Sequence, residues 1–284
     1  MVQTIGIVGA GTMGAGIALV CMRSGYQVVI QDRSEEMLQK AHTYHKEMLT
    51  KDVQKGKKTE EEKKQILHST VYTQEMDDFS ICEVILEAIP EKLEWKQDVF
   101  AKLESICSDE TLLLSNTSSL SITAIAAGLS HPERLLGMHF FNPAPVMRLV
   151  EVVQGKKSDP IHVPEVVQFA KKLGKIPVEV QDTPGFLVNR IARPFYNESL
   201  RILGDQVASV EQIDRILKQA GGFQMGPFAL QDLIGIDVNY VTTESVYVDF
   251  FYEKRFQPSR IQQRMVQAGT LGRKSGEGYY DYDS

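Results

Sequence analysis

The stretch TIGIVGAGTMGAGIALVCMRSGYQVVIQDRS, near the start of the chain, restricts the possible folds more than any other segment. Ile5, Ile7 and Val8 form a short apolar β-branched run that is typical of a buried parallel strand. A glycine-rich turn follows, and the segment from Met13 to Arg23 has the composition of a helix. After a Ser-Gly stop, YQVVIQD has the pattern of a second strand. This order of strand, glycine turn, helix and strand predicts a βαβ unit.

The glycine turn of this unit has the spacing GxGxxG at Gly9, Gly11 and Gly14. The first glycine permits a tight turn, the second lets a pyrophosphate approach the backbone, and the third lets helix and strand pack closely. The second strand is followed by Asp32, whose carboxylate can accept hydrogen bonds from both ribose hydroxyls and repels a 2′-phosphate. The pattern therefore predicts NAD rather than NADP as the cofactor. A glycine-rich turn that binds no nucleotide is the alternative.

Strand-like and helix-like segments alternate up to Gln181, which predicts a doubly wound α/β domain of the Rossmann type. After Pro184-Gly185 the period-2 pattern of strands almost disappears, and the following segments have helical patterns. We therefore predict a Rossmann-like NAD-binding domain at residues 1–183 and an all-helical domain at residues 184–284. Pro194 lies inside the first predicted helix of the second domain and is expected to kink it.

Composition and charge exclude several classes of protein. The formal net charge is -6, whereas a nucleic-acid-binding surface needs a clustered excess of Lys and Arg. No apolar run approaches the roughly 20 residues that cross a bilayer. The three cysteines are widely spaced and fit neither a disulfide framework nor a metal site. The chain enters a strand-like run at once, without a secretory signal, so we expect a cytoplasmic protein with no metal, nucleic-acid or membrane partner.

A histidine and a glutamate stand in two successive apolar segments, LLGMHFFN and RLVEVVQG. A single histidine in an apolar strand is more often a hydrogen-bonded core residue than a catalytic one. The NPAP turn between the segments can, however, fold them into a hairpin that brings His139 and Glu151 together. A carboxylate bonded to one ring nitrogen fixes the tautomer and stabilises the cation that forms when the other nitrogen takes a proton. The pair is therefore a candidate general base with its orienting partner.

Two further polar positions have ordinary structural explanations as well as functional ones. Ser118 lies in SNTSSLSI after a predicted buried strand, where hydroxyl side chains commonly cap a turn or a helix. Asn189 lies one helical turn after Pro184-Gly185, where it can cap a helix, contact solvent or face the domain junction. Both kinds of explanation fit these residue types.

Seven segments, in order along the chain, carry a family resemblance: GIVGAGTMGAGIA, EAIPE, LLSNTSSL, GMHFFNPAPVMRLVEVV, DTPGFLVNRI, MGPFALQDLIGID and LGRKSGEGYYDY. In this combination the chain resembles the L-3-hydroxyacyl-CoA dehydrogenases, in particular the short bacterial 3-hydroxybutyryl-CoA dehydrogenase type. The resemblance runs essentially from end to end. It implies an enzyme that interconverts (S)-3-hydroxyacyl-CoA and 3-ketoacyl-CoA with NAD.

The resemblance also implies roles for individual residues. His139 matches the catalytic base of the family and Glu151 its orienting partner. Ser118 and Asn189 match the positions that hold the C3 oxygen of the substrate and the imidazole. The cofactor-binding positions of the family correspond to Gly9, Gly11, Gly14, Asp32, Glu91, Lys96 and Asn142.

An acyl-CoA thioester is the substrate that the resemblance implies, with the CoA tail near the lysine-rich segment 51–58. The segment DLIGIDVNYVTTESVYVDFF has more apolar residues than one helical layer can bury, which, with the resemblance, predicts a homodimer through the second domain. Two alternatives remain, namely an NAD-dependent dehydrogenase of a free hydroxy acid or sugar acid, and a noncatalytic NAD-binding protein. The acyl chain is open between a C4, a longer and a dicarboxylic thioester.

Overall fold

A computed structural model describes residues 3–282 of the chain. The chain divides into two compact units, Met1–Thr183 and Pro184–Ser284. The first unit combines a sheet with helices, and the named elements of the second unit are helices. The predicted fold class, a Rossmann-like domain followed by a helical domain, is confirmed.

An eight-stranded sheet forms the centre of the first unit. Its strands are β1 Thr4–Val8, β2 Gln27–Gln31, β3 Thr70–Thr73, β4 Val84–Glu87, β5 Leu112–Ser115, β6 Leu135–Phe140, β7 Leu149–Gln154 and β8 Ile176–Gln181. They lie in the order β3-β2-β1-β4-β5-β6-β7-β8, and every neighbouring pair is parallel except β6 and β7. The first six positions of this order are those of a doubly wound dinucleotide-binding sheet.

Helices cover this sheet, and several begin at side chains that cap them. The helices of the first unit are α1 Thr12–Arg23, α2 Glu35–Gln54, α3 Glu60–His68, α4 Leu93–Ile106, α5 Ile122–Ile125 and α6 His162–Lys172. Ser34 begins α2 by accepting a hydrogen bond from the Met37 amide, and Thr59 begins α3 in a reciprocal capping box with Glu62. The central strand β1 is buried on both faces of the sheet, since every residue from Thr4 to Val8 is buried.

The second unit contains α7 Val188–Gly204, α8 Val210–Gln219, α9 Pro227–Ile234, α10 Ile236–Asp249 and α11 Arg260–Ala268. Two buried aspartates order its loops. Asp214 accepts the amides of Phe228 and Ala229 at the start of α9, each at 2.9 Å. Asp232 accepts the amides of Tyr279 and Tyr280, each at 3.0 Å, so it ties the C-terminal segment to α9. Negative side chains at these positions satisfy backbone donors that otherwise lack a partner.

Two features bear on what chemistry the described part of the chain can perform. No helix within residues 3–282 combines the length and apolarity needed to span a membrane. Cys21, Cys82 and Cys107 are buried free thiols, and burial raises the pKa of the first two to about 12 and of the third to about 11. Thiols with such pKa values hold their protons at neutral pH, so these cysteines are poor nucleophiles.

Candidate active site

Most of the predicted site residues of the first unit lie at one edge of the sheet. Gly9 follows β1, Asp32 follows β2, Glu91 follows β4 and Ser118 follows β5. These four strands are parallel, so their carboxyl ends meet at the same edge. In open α/β sheets ligands bind at this edge, where the strand order reverses. The topology therefore collects residues that are far apart in sequence.

The glycine turn after β1 has the close backbone packing that the motif predicts. Gly9 has φ of 97°, and a Cβ there would lie 2.8 Å from the Ala88 carbonyl oxygen. A Cβ on Gly14 would lie 1.8 Å from the Gly9 carbonyl oxygen, which leaves no space for any side chain. A Cβ on Gly11, in contrast, would meet no heavy atom within 4 Å. Gly9 and Gly14 are therefore required by the fold, whereas Gly11 borders open space that a ligand can enter.

The surroundings of this turn fit the pyrophosphate and ribose of NAD. Gly11 stands at the N-terminus of α1, and the first turn of that helix has no acidic residue, so its amides and dipole can receive an anion. The two carboxylate oxygens of Asp32 accept the Ala10 amide at 2.8 Å and the Ser34 amide at 2.9 Å. Each oxygen keeps capacity for a further donor, such as a ribose hydroxyl. A cavity of about 420 Å³ adjoins Gly11 and is also lined by Asn142.

The loop that carries Asn142 is fastened by a buried lysine that the sequence did not single out. Lys175, just before β8, donates to the Ala144 carbonyl at 2.5 Å and to the Met147 carbonyl at 2.9 Å. Lys175 is only 8% exposed, and burial lowers the pKa of its ammonium group. A lysine side chain is almost never fully buried unless it has a bonding partner. In the sequence, the only sign of this role is that the lysine stands directly before the apolar run that forms β8.

His139 and Glu151 lie directly opposite each other on the antiparallel strands β6 and β7. The Nδ1 atom of His139 is 2.7 Å from Oε2 of Glu151, and the two residues are 6% and 0% exposed. An ionised carboxylate only accepts hydrogen bonds, so Nδ1 carries the proton in this contact. In that tautomer the lone pair that can accept a proton lies on Nε2. The hairpin thus produces the arrangement of a general base with an orienting acid.

Ser118 and Glu91 are in contact with each other. The Ser118 amide donates to Oε1 of Glu91 at 2.8 Å, and the Ser118 hydroxyl lies 3.3 Å from the same oxygen. Burial alone raises the pKa of Glu91, but the Lys96 ammonium and hydrogen bonds from the serine loop outweigh it and hold that pKa below its usual value. Lys96 is 1% exposed and pairs with Glu87 at 2.6 Å and with Glu91 at 3.3 Å.

Asn116 is another residue near His139 that the sequence did not single out. Its Oδ1 atom accepts the amide of Phe140 at 2.8 Å, which joins the end of β5 to the end of β6 next to His139. The signal in the sequence was weak, since a polar residue directly after an apolar strand is common in turns. Its contact supports the backbone that presents His139.

Asn189 lies in the second unit, at the start of α7. Its Oδ1 atom is 3.5 Å from a guanidinium nitrogen of Arg193, one helical turn later. Arg193 is 3% exposed and donates to the Asn239 carbonyl at 2.8 Å and to the Thr243 hydroxyl at 3.0 Å. Burial lowers the pKa of Arg193 to about 10. The Arg193 side chain, which Asn189 contacts, is therefore held to α10 by hydrogen bonds.

Comparison with known proteins gives a consistent result over both units. The NAD-binding domain of 3-hydroxyacyl-CoA dehydrogenase matches residues 4–183, and the C-terminal domain of the same family matches residues 185–282. The two matches meet beside Pro184-Gly185. Together they cover nearly the whole chain.

Individual relatives agree with these matches. A 3-hydroxyadipyl-CoA dehydrogenase of Escherichia coli (strain K12) is 47% identical over 99% of this chain, which spans 59% of that relative's length. A 3-hydroxybutyryl-CoA dehydrogenase of Clostridioides difficile is 39% identical over 98% of this chain and 99% of its own length. The crystal structure of (S)-3-hydroxybutyryl-CoA dehydrogenase from Ralstonia eutropha matches this chain with a TM-score of 0.95, 39% identity and full coverage of both chains.

These matches confirm the predicted family and, through its NAD-binding domain, the predicted cofactor. The sheet order, the glycine turn and the helical second unit agree with them. The chain belongs to the 3-hydroxyacyl-CoA dehydrogenase family of NAD-dependent oxidoreductases.

Proposed function

We propose that the protein catalyses the reversible oxidation of (S)-3-hydroxyacyl-CoA to 3-ketoacyl-CoA with NAD, and that His139 is the general base. The observation that carries this proposal is the contact of 2.7 Å between His139 Nδ1 and the buried carboxylate of Glu151. A buried acid beside an imidazole orients the ring and stabilises its protonated form. A noncatalytic NAD-binding protein has no need of such a pair.

In the oxidation, His139 removes the proton of the 3-hydroxyl group at Nε2 and becomes an imidazolium cation. Glu151, which is fully buried, stabilises that cation and keeps the ring in position. In the reduction the imidazolium returns the proton to the ketone oxygen. General acid–base catalysis of this kind contributes about 10²–10⁴-fold to the rate.

Bound NAD supplies the acceptor for the hydride that leaves C3 of the substrate. On the protein side, the glycine turn and Asp32 hold the cofactor, and Asn142 lies beside the same cavity. Ser118 and Asn189 are proposed to hold the C3 oxygen and the imidazole while the negative charge on that oxygen changes. Hydrogen-bond donors that point at the charge developing on this oxygen in the transition state lower the barrier more than donors that fit only the ground state.

A short C4 thioester, 3-hydroxybutyryl-CoA, is the first candidate substrate, because the relatives from Clostridioides difficile and Ralstonia eutropha are named for it. A dicarboxylic thioester is the second candidate, because the 47% identical relative from Escherichia coli is named for 3-hydroxyadipyl-CoA. The acyl chain of 3-hydroxyadipyl-CoA is longer than that of 3-hydroxybutyryl-CoA and ends in a carboxylate, so a pocket that accepts one need not accept the other.

The decisive experiment is oxidation of NADH by the purified protein, followed by near-ultraviolet absorbance. Acetoacetyl-CoA, 3-oxoadipyl-CoA, a long-chain 3-ketoacyl-CoA and free acetoacetate are compared, each with NADH and with NADPH. Turnover of a thioester with NADH, and little with NADPH, is the expected result. Turnover of free acetoacetate alone points to a hydroxy-acid dehydrogenase. Binding of NADH without turnover of any of these compounds points to a noncatalytic role.

We also propose that the protein forms a homodimer through its helical unit. In that unit Val241, Val248 and Phe251 are 62%, 50% and 92% exposed. Apolar side chains exposed in this number on one segment favour association. Light scattering on the eluting peak of a sizing column should give twice the mass of one chain, and a mass equal to one chain at micromolar concentration would contradict the dimer.

A further inference from the structure

Lys175 is a buried, charged residue to which the proposed reaction gives no part. It stands between α6 and β8 and is only 8% exposed. Its ammonium group donates to the Ala144 carbonyl at 2.5 Å and to the Met147 carbonyl at 2.9 Å, and it lies 5.9 Å from the centre of the Phe140 ring. Burying a cation is costly unless such groups surround it, so these contacts indicate that Lys175 has one fixed position.

Both carbonyls belong to residues 142–147, between β6 and β7, which we call the hairpin loop. Within this loop the Pro143 carbonyl accepts the Val146 amide at 2.9 Å and the Met147 amide at 3.0 Å. These two bonds close the turn on itself, whereas the bonds from Lys175 join the loop to the start of β8. Lys175 therefore attaches the hairpin loop to a segment that is distant in sequence.

The hairpin loop also forms a wall of the cavity beside the glycine turn. Residues 142–145 line this cavity together with Gly11 at the start of α1. A Cβ on Gly16 would lie 3.3 Å from the Cβ of Ala144 and 3.4 Å from the Cδ of Pro145, so the loop packs closely on α1. The position of the hairpin loop therefore sets the width of the cavity.

We propose that Lys175 is a positioning residue for the cofactor, because it holds the hairpin loop, and with it Asn142, in the geometry that receives NAD. This inference rests on the proposed placement of Asn142 beside the cofactor. Lys175 acts through the loop, since its ammonium group donates to two loop carbonyls.

The energetic reason lies in the Ala144 carbonyl. Ala144 is 2% exposed, so its carbonyl oxygen cannot replace the Lys175 donor with water while the loop keeps its place. A buried acceptor that loses its donor costs free energy, and the loop can avoid that cost by moving the carbonyl toward solvent. Without the lysine, the cofactor-free protein should hold the binding geometry for only part of the time. The affinity for NADH falls by that fraction.

The first test is the dissociation constant for NADH, measured by fluorescence titration of the full chain. Lys175→Met keeps a long, flexible side chain in the same space and removes the N–H donors. It should raise the dissociation constant by about 10-fold, as for a loop that keeps the binding geometry about a tenth of the time. Lys172→Met is the matched control and should bind NADH as the wild type does, because Lys172 is an exposed lysine at the end of α6.

A double-mutant cycle tests whether Lys175 acts through the loop. Adding Lys175→Met to Asn142→Ala should weaken NADH binding little further, because both substitutions remove one function. The steady-state reduction of acetoacetyl-CoA gives a second separation. The KM for NADH should rise about as much as the dissociation constant, whereas the turnover number at saturating NADH should fall much less, since bound NADH favours the binding geometry.

Hydrogen exchange needs neither substrate nor cofactor. In the cofactor-free protein, Lys175→Met should speed exchange at the Val146 and Met147 amides, which donate to the Pro143 carbonyl. The Ile7 amide in the buried strand β1 is the internal reference, so faster exchange confined to the loop identifies local opening. If Lys175→Met does not fold, Lys175→Gln keeps two N–H donors on a shorter side chain and should give the same changes at smaller size.

Three results would overturn the inference. The first is unchanged NADH affinity in a folded variant at Lys175, even where its turnover number falls. The second is an equal loss of affinity from Lys175→Met with and without Asn142, which shows that the two residues act independently. The third is exchange at Val146 and Met147 that is unchanged or rises no more than exchange at Ile7. Failure of the wild-type protein to turn over any thioester contradicts the proposed function instead, and NADH affinity and amide exchange still test Lys175.

Discussion

Glu151→Gln is the substitution that most sharply tests the histidine–carboxylate pair, because it removes the charge and keeps the size of the side chain. Glu151 is 0% exposed, and its oxygen lies 2.7 Å from His139 Nδ1. With the charge centres about 4 Å apart and an effective dielectric constant of about 20, the carboxylate favours the imidazolium by about 4 kcal/mol. That free energy corresponds to about 10³-fold in rate. The glutamine amide can also donate to Nδ1, which places the ring proton on Nε2 and blocks the base.

The assay is steady-state oxidation of (S)-3-hydroxybutyryl-CoA by NAD, the direction in which the imidazolium forms, with NADH affinity and thermal unfolding measured in parallel. Glu179→Gln, on the neighbouring strand β8, is the control, since Glu179 is exposed. The variant at Glu151 should bind NADH normally and lose about 10³-fold in turnover, whereas the control should keep wild-type turnover. A Glu151→Gln protein that is folded and as active as the control would refute the reasoning.

Three other substitutions test the cofactor site and the packing around it. Gly14→Ala should abolish NADH binding and lower the melting temperature, because the new Cβ would lie 1.8 Å from the Gly9 carbonyl oxygen. If the variant binds NADH as tightly as the wild type in a fluorescence titration, that packing is contradicted. Asp32→Ala should weaken NADH binding and relax discrimination against NADPH, and an unchanged ratio of the two dissociation constants would exclude Asp32 as the ribose ligand. Burial lowers the pKa of His45 to about 4, below its value of about 6.5 in an unfolded chain. The unfolded state therefore binds more protons, and the fold should lose up to about 3 kcal/mol as pH falls through this interval. Equilibrium unfolding at neutral and acidic pH should show a smaller loss for His45→Gln than for wild type, and equal losses would contradict the burial argument.

The fold could be predicted where its signals are local. Gly9, Gly11 and Gly14 mark the first turn, and apolar runs mark β1 and β2. The edge strand Thr70–Thr73 was not predicted, because it has four residues and its pairing with β2 is decided by tertiary structure. The segment DLIGIDVNYVTTESVYVDFF has a helical pattern throughout, but the helix breaks at Gly235, where φ is 104°. A single glycine inside a helical pattern is often tolerated, so the pattern alone favours continuity.

The site could be predicted in part for the same reason. His139 and Glu151 stand at matched positions of a hairpin, so their contact follows from strand register. The burial of Lys96 and Lys175 could not be predicted, because lysine is usually solvated and its partners come from distant segments. Glu87 and Asn116 likewise owe their contacts to the parallel pairing of β4, β5 and β6, which joins residues that no spacing in the sequence connects.

The central claim is that His139 takes and returns the proton of the reacting hydroxyl. The most direct test is the turnover of acetoacetyl-CoA with NADH by the wild-type protein and by His139→Gln, at equal NADH saturation. We expect rapid turnover by the wild type and a loss of at least about 10²–10⁴-fold in the variant, with the NADH dissociation constant unchanged. Near-normal turnover by a folded His139→Gln protein would contradict the account.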